Sequence, residues 1–157
     1  MVESPEPGEA LEQVIRLVRA SFHRLKIAGE ELHRHLGVTT AMRCVLEDLV
    51  ETGEQTVPQI ARAKSVSRQH IQSLADSLVA ARLVEFRPNP AHRRSLLLDL
   101  TPHGRSVFAA MQRAEAPVLS GIAAGLPDAD LAATRRVLAA LNAALERRQT
   151  AVITDPA

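Results

Sequence analysis

Ser67, Arg68, Gln69 and His70 stand in a row, and Gln72 and Ser73 follow. All carry hydrogen-bond donors or acceptors. Such side chains match base edges in a DNA major groove: arginine to guanine, glutamine to adenine, serine to either. A helix opening at this point adds a preference for phosphate at its N-terminus. Further on, RPNPAHRR brings Arg87, Arg93 and Arg94 together with Asn89 and His92. Pro88 and Pro90 fix φ, so the tip loses less freedom when it docks. Each arginine that neutralises a phosphate releases counterions and adds about 0.9 to the salt slope of binding. Taken singly, each stretch also reads as an ordinary solvated surface. The elements that carry them decide.

Residues 1–8 hold two prolines and a glycine and read as a tail. From Glu9 to Leu36 the apolar residues Leu11, Val14, Val18, Phe22, Leu25, Leu32 and Leu36 recur at helical spacing, and Gly37 is a stop. Thr39 or Thr40 can cap a second helix reaching Thr52, with Val45, Leu46 and Leu49 on its apolar face. A short helix from Pro58 to Ala63 follows. Ser67 then caps another that runs to Ala81 with an inner stripe of Ile71, Leu74, Ala75 and Leu78. Leu83–Arg87 and Ser95–Leu100 alternate like strands, so RPNPAHRR is the connection of a hairpin. Thr101-Pro102 opens a long helix to about Ala123, in which Pro117 is expected to make a kink or break. A last helix starts near Pro127, with Leu131, Thr134, Leu138, Leu141 and Leu145 along one side. The fold class is therefore mainly α with a small β-hairpin: a winged helix-turn-helix flanked by N- and C-terminal helices.

Charge is distributed to match. The chain of 157 residues has a net charge of only +1, but Gln55–Arg105 contains eight Lys/Arg against three acids, a net +5, so the flanks sum to −4. A basic middle between acidic ends points to a localised anionic partner. With three Phe, no Trp and no Tyr, an aromatic platform for single strands is not expected. One cysteine, Cys44, excludes an intramolecular disulfide. No apolar run is long enough for a membrane span, and the acidic start is unlike a signal peptide, so a cytoplasmic protein is expected. Nothing resembles a catalytic constellation or a phosphate loop, so neither an enzyme nor a cofactor is expected.

The segments TVPQIARAKSVSRQHIQSLADSLVAARLVEF and NPAHRRSLLLDLTPHGR resemble the MarR family of transcription regulators. The likeness covers about residues 10–149. Family members typically carry D-P-x-D-R-R, a short apolar strand, then L-T-x-x-G; here the chain reads NPAHRR, SLLLDL and LTPHG, with Asn89 and His92 in place of the two acids. The resemblance implies a homodimer whose body is built from residues 9–36 and 111–149, with residues 37–110 as the DNA-binding lobe. It implies a double-stranded, pseudo-palindromic operator, one helix per subunit in a major groove, and a wing arginine in the adjacent minor groove. Arg94 matches that arginine, and His92 stands where an aspartate usually orients it.

The resemblance further implies repression relieved by a small aromatic or amphipathic effector. Its pocket would lie where the first, second and fifth helices meet the DNA-binding lobe, drawing on Phe22, His23, Lys26, Met42, Arg43, Phe108 and Met111. Alternatives are a cysteine-redox sensor through Cys44, a metal sensor, or a winged-helix interaction module without specific DNA binding. His23, His33 and His35 lie near Glu30 and Glu31. His33 and His35 point about 200° apart on a helix, so they read as a solvated face and no metal site is assigned.

Overall fold

The computed structural model describes residues 6–92 and 94–154. Helix α1 (Pro7–His33) ends in a 3-10 turn, Arg34–Leu36, and Gly37 takes the left-handed conformation that stops it (φ 65°). The expected tail is thus shorter than 1–8, because Pro7 opens the helix. Next come α2 (Thr40–Thr52), a two-residue strand β1 (Gln55–Thr56), α3 (Val57–Ala63) and α4 (Arg68–Ala80). Strands β2 (Val84–Arg87) and β3 (Leu97–Leu100) form the hairpin, and α5 (Pro102–Ala123) and α6 (Asp128–Thr154) complete the order. Pro117 does not break α5. Its missing N–H and ring clash are a local penalty that a helix of this length tolerates.

Each helix of the central lobe begins on a capping side chain. Thr39 accepts from the Met42 amide (3.2 Å), and Thr56 and Gln59 form a reciprocal capping box for α3. Ser67 accepts from His70 N (3.1 Å). β3 is the central strand of an antiparallel sheet ordered β1-β3-β2, paired Gln55 with Leu98 on one side and Phe86 with Leu98 on the other. The hairpin foreseen from alternation is therefore part of a three-stranded sheet.

The chain divides into two units, one up to Glu115 and one from Ala116 on. In the first unit a single core joins Val45, Leu46 and Leu49 of α2, Ile60 of α3, Ile71, Ala75 and Leu78 of α4, Val84, Leu98 and Leu100 of the sheet, and Phe108 and Met111 of α5. Full burial of each large side chain is worth about 1.5–3 kcal/mol. The second unit holds the end of α5 and α6, joined by a turn in which the Leu126 amide donates to Ala123 O (2.9 Å). Val118, Leu119, Ile122, Leu126 and Val137 of this unit are exposed, as are Leu17, Phe22, Leu25 and Ile27 of α1.

Candidate nucleic-acid interface

The rotation of α4 is set by its buried stripe. With Ile71, Ala75 and Leu78 inward, Ser67, Arg68, Gln69, His70, Gln72 and Ser73 are all exposed. Gln72 Nε2 donates to Asp76 Oδ1 (2.8 Å), one helical turn on, which orients the amide. The first turn of α4 contains no acid, so its positive end is uncompensated within the helix.

A groove of about 470 Å³ runs between this helix and the hairpin. Arg68, Gln69, Gln72, Arg94 and Ser95 rim it, and Val57, Pro58, Phe86 and Leu96 supply its apolar surface. Helix residues and hairpin arginine, far apart in sequence, thus face one space. Arg68 and Arg94 are exposed, and neither has an ion pair among the described residues. His70 and Ser73 sit on the same exposed side of α4 without lining the groove.

The tip is a defined turn. Asn89 Oδ1 accepts from the Ala91 amide (3.0 Å), and the His92 amide donates to Asn89 O (3.3 Å). The Ser95 amide then donates to His92 O (3.0 Å). Asparagine makes this side-chain turn as aspartate does, without the charge. His92 is exposed, and Arg93 lies outside the described residues.

Arg87 behaves differently from Arg94. Its guanidinium binds Glu85 Oε1 (2.6 and 2.9 Å) and Asp99 Oδ2 (2.9 Å). The hydrogen bonds it donates to Glu85, then the charge of Asp99, raise its pKa above the ordinary arginine value. Asp99 is buried and also takes Arg105 (3.2 Å) and its neighbour's amide, Leu100 N (2.7 Å). Arg87, at the tip end of β2, thus already has two acids on it, and one of them, Asp99, also ties the sheet to Arg105 at the start of α5. The same junction explains LTPHG. Thr101 Oγ1 donates toward Arg82 O (2.7 Å) and Leu83 O (3.2 Å), and accepts from Gly104 N (2.9 Å). Gly104 is buried against the Leu83 carbonyl, where a Cβ would stand 1.9 Å from the oxygen.

The residues expected around an effector separate into two sets. Met42, Phe108 and Met111 lie in the common core, and the Arg43 guanidinium stands 5.7 Å from the Phe108 ring centre. Phe22, His23 and Lys26 are exposed along α1, with Lys26 4.0 Å from Glu30. Arg43 is not a free cation. Its Nε and Nη2 each donate to Glu115 (2.7 Å both), and Nη1 donates to Glu47 (3.1 Å). Glu115 also meets His33 Nε2 (2.7 Å). His33 is buried, contrary to the solvated face expected for it, because the carboxylate of Glu115 replaces water at its ring. Burial pushes the Glu115 carboxyl upward, but the hydrogen bonds of Arg43 and His33 and their charges outweigh it, so its pKa lies below the ordinary value.

Glu115 is the residue that sequence reasoning missed. Phe108, Met111 and Glu115 are spaced by three and four, so a carboxylate on the inward side of α5 was the available signal. Cys44 is free and half-buried. Among the described residues no group of three His, Cys, Asp or Glu can hold a metal ion, and no helix is long and apolar enough to cross a membrane.

Comparison with known proteins agrees with this fold. A family model, that of the MarR family, matches residues 31–95. Rv2011c of Mycobacterium tuberculosis is 38% identical over 138 residues, which are 86% of this chain and 96% of that protein. The HTH-type transcriptional repressor NicR of Pseudomonas putida is 26% identical over 105 residues, 67% of this chain and 66% of NicR. Among solved structures, the MarR family transcription regulator SP03579 matches with a TM-score of 0.75 and 29% identity, over 95% of this chain and 96% of its own. A mutant MarR from E. coli complexed with operator DNA matches with a TM-score of 0.73 and 20% identity, over 87% and 99%. BpsR of Bordetella bronchiseptica, whose DNA binding is regulated by 6-hydroxynicotinic acid, matches with a TM-score of 0.70 and 24% identity, over 88% and 98%.

Proposed function

The chain belongs to the MarR family of transcription regulators, and from that premise we propose that it is a homodimeric, cytoplasmic repressor whose hold on a pseudo-palindromic operator is relieved by a small aromatic or amphipathic effector. The observation that carries the reading is the shared groove of α4 and the hairpin, with Arg68, Gln69, Gln72 and Arg94 along it. In this reading the first turns of α4 enter a major groove, where Arg68, Gln69 and Gln72 read base edges and Ser67, His70 and Ser73 contact the backbone or neighbouring bases. Arg94, with no acid on it among the described residues, reaches the adjacent minor groove, with Asn89 and His92 beside it at the tip; Arg93 is a further proposed DNA contact. Arg87 contributes less than its position suggests, since Glu85 and Asp99 already neutralise it.

The exposed apolar residues of α1 and of the second unit favour a dimer, because a lone chain would leave Leu17, Phe22, Leu25, Val118, Leu119 and Ile122 in water. Two-fold symmetry then sets the operator: two half-sites about one helical turn apart. NicR supports repression as the sign, and BpsR supports a small acid or phenol-like molecule as the class of effector. The effector acts by shifting the distance between the two α4 helices. A mobility-shift titration with DNA from upstream of the protein's own coding sequence tests the reading. Specific retardation at physiological salt, reversed by 6-hydroxynicotinic or another aromatic acid, is expected. Binding no tighter than to random duplex would remove the DNA-regulator reading in favour of an interaction module.

A further inference from the structure

The cluster of His33, Arg43, Glu47 and Glu115 ties together three elements of the first unit. Glu115, on α5, receives two parallel hydrogen bonds from Arg43 of α2 and one from His33 at the end of α1. The Arg43–Glu115 pair is bidentate, the arrangement that fixes orientation as well as distance. Its side chains are mostly shielded, at 21% and 18% exposure, so solvent screens it little. The His33 ring is buried, and its Nδ1 has no partner among the described residues, so Glu115 supplies the ring's polar hold. α2 in turn shares its core residues Val45, Leu46 and Leu49 with Ile71, Ala75 and Leu78 on the back of α4.

We propose that Glu115 is a positioning residue for DNA recognition: by clasping Arg43 and His33 it fixes α2, and α4 behind it, against the end of α1. Resting on the homodimer reading, this makes the clasp the element that sets the separation of the two α4 helices. Packed cores move as blocks, so a small rotation at the clasp is carried to the exposed end of α4. Half-site sequence is read by residues of α4 that the clasp does not touch. Half-site spacing depends on the clasp.

The test is duplex selection from a random library by the wild type and by Glu115→Gln, with thermal melting to confirm that the variant is folded. The amide keeps the shape of the carboxylate but turns a donor toward the Arg43 fork. Selected half-site sequences should be the same for both proteins. The preference for the best spacing over spacings one base pair longer or shorter should fall by about fivefold or more in the variant, the lower range of a site-to-site coupling. If Glu115→Gln unfolds too early, His33→Leu removes one arm of the clasp, leaves Arg43 paired, and should loosen spacing in the same direction. A folded variant with the wild-type spacing preference overturns the clasp alone. A wild type that selects no paired half-sites overturns the dimer reading, and the clasp with it.

Discussion

Replacing Gly104 by alanine puts a methyl carbon 1.9 Å from the Leu83 carbonyl oxygen and 2.8 Å from its carbon. A comfortable C···O contact is about 3.3 Å, so the start of α5 and the Leu83 backbone must separate by about 1.4 Å. Both sides are main chain, and no rotamer change relieves the clash. That separation stretches the Thr101 hydroxyl away from Arg82 O (2.7 Å) and Leu83 O (3.2 Å), and the Thr101 amide away from Leu83 O (3.1 Å). Overpacking costs about 1–3 kcal/mol, and each lost hydrogen bond about 0.5–1.5 kcal/mol. Against this, alanine is about 1 kcal/mol better than glycine inside a helix. The net expectation is a loss of about 2–4 kcal/mol, or a fall of roughly 4–16 °C in the thermal midpoint for a chain of this size. Differential scanning calorimetry of Gly104→Ala beside the wild type measures it. DNA affinity of the folded variant should also fall, because Leu83 leads directly into β2. A variant that melts at or above the wild-type temperature would refute the close-approach argument for LTPHG.

The other predictions concern charge. Arg94→Ala should weaken operator binding by about 1–3 kcal/mol and, for a phosphate contact, lower the salt slope by about 0.9. Arg87→Ala should leave the salt slope unchanged, because that guanidinium is already paired with Glu85 and Asp99; titrations at several salt concentrations compare the two. Asn89→Asp keeps an acceptor for the Ala91 amide but places a carboxylate at the tip, so binding should weaken most at low salt; an affinity gain there would contradict the electrostatic reading. Glu115 has a depressed pKa when folded, so its contribution to stability is present above the unfolded value of about 4.3 and is lost as pH falls through the folded value. Urea unfolding from pH 7 down to acid should therefore show wild-type stability falling more steeply below that point than the stability of Glu115→Gln, and parallel curves would count against the carboxylate.

Legibility in the sequence followed the range of the interactions involved. The α4 stripe and the Ser67 cap are local, so periodicity and residue type located them closely. The hairpin connection was visible from alternation on both sides of RPNPAHRR. β1 was not, because two residues carry no period and Gln55–Thr56 is a strand only through its partners Leu98 and Leu97. The pairing of His33 with Glu115 links distant segments, and no local pattern announces it. Arg87 was half legible: Glu85 and Arg87 are i, i+2 on one side of a strand, which already predicts contact. Its second acid needed the hairpin register, in which Glu85 faces Asp99. The gathering of Arg68 and Arg94 at one groove was beyond sequence for the same reason, since it depends on how the sheet packs on α4.

The two-residue strand β1 has a kinetic meaning. It hydrogen-bonds the start of the helix-turn-helix to β3, so the central strand is held from both sides by segments that precede and follow α3 and α4. The hairpin cannot complete this sheet by local zippering; the intervening helices must first bring the chain ends together, and loop closure of that kind slows folding. Once formed, the amides of Leu97 and Leu98 should open only when the whole lobe unfolds, and they belong among the slowest to exchange with deuterium, while the tip at Ala91 and His92 exchanges early. Arg94, at the end of the hairpin connection, is thus carried on a base as durable as the core.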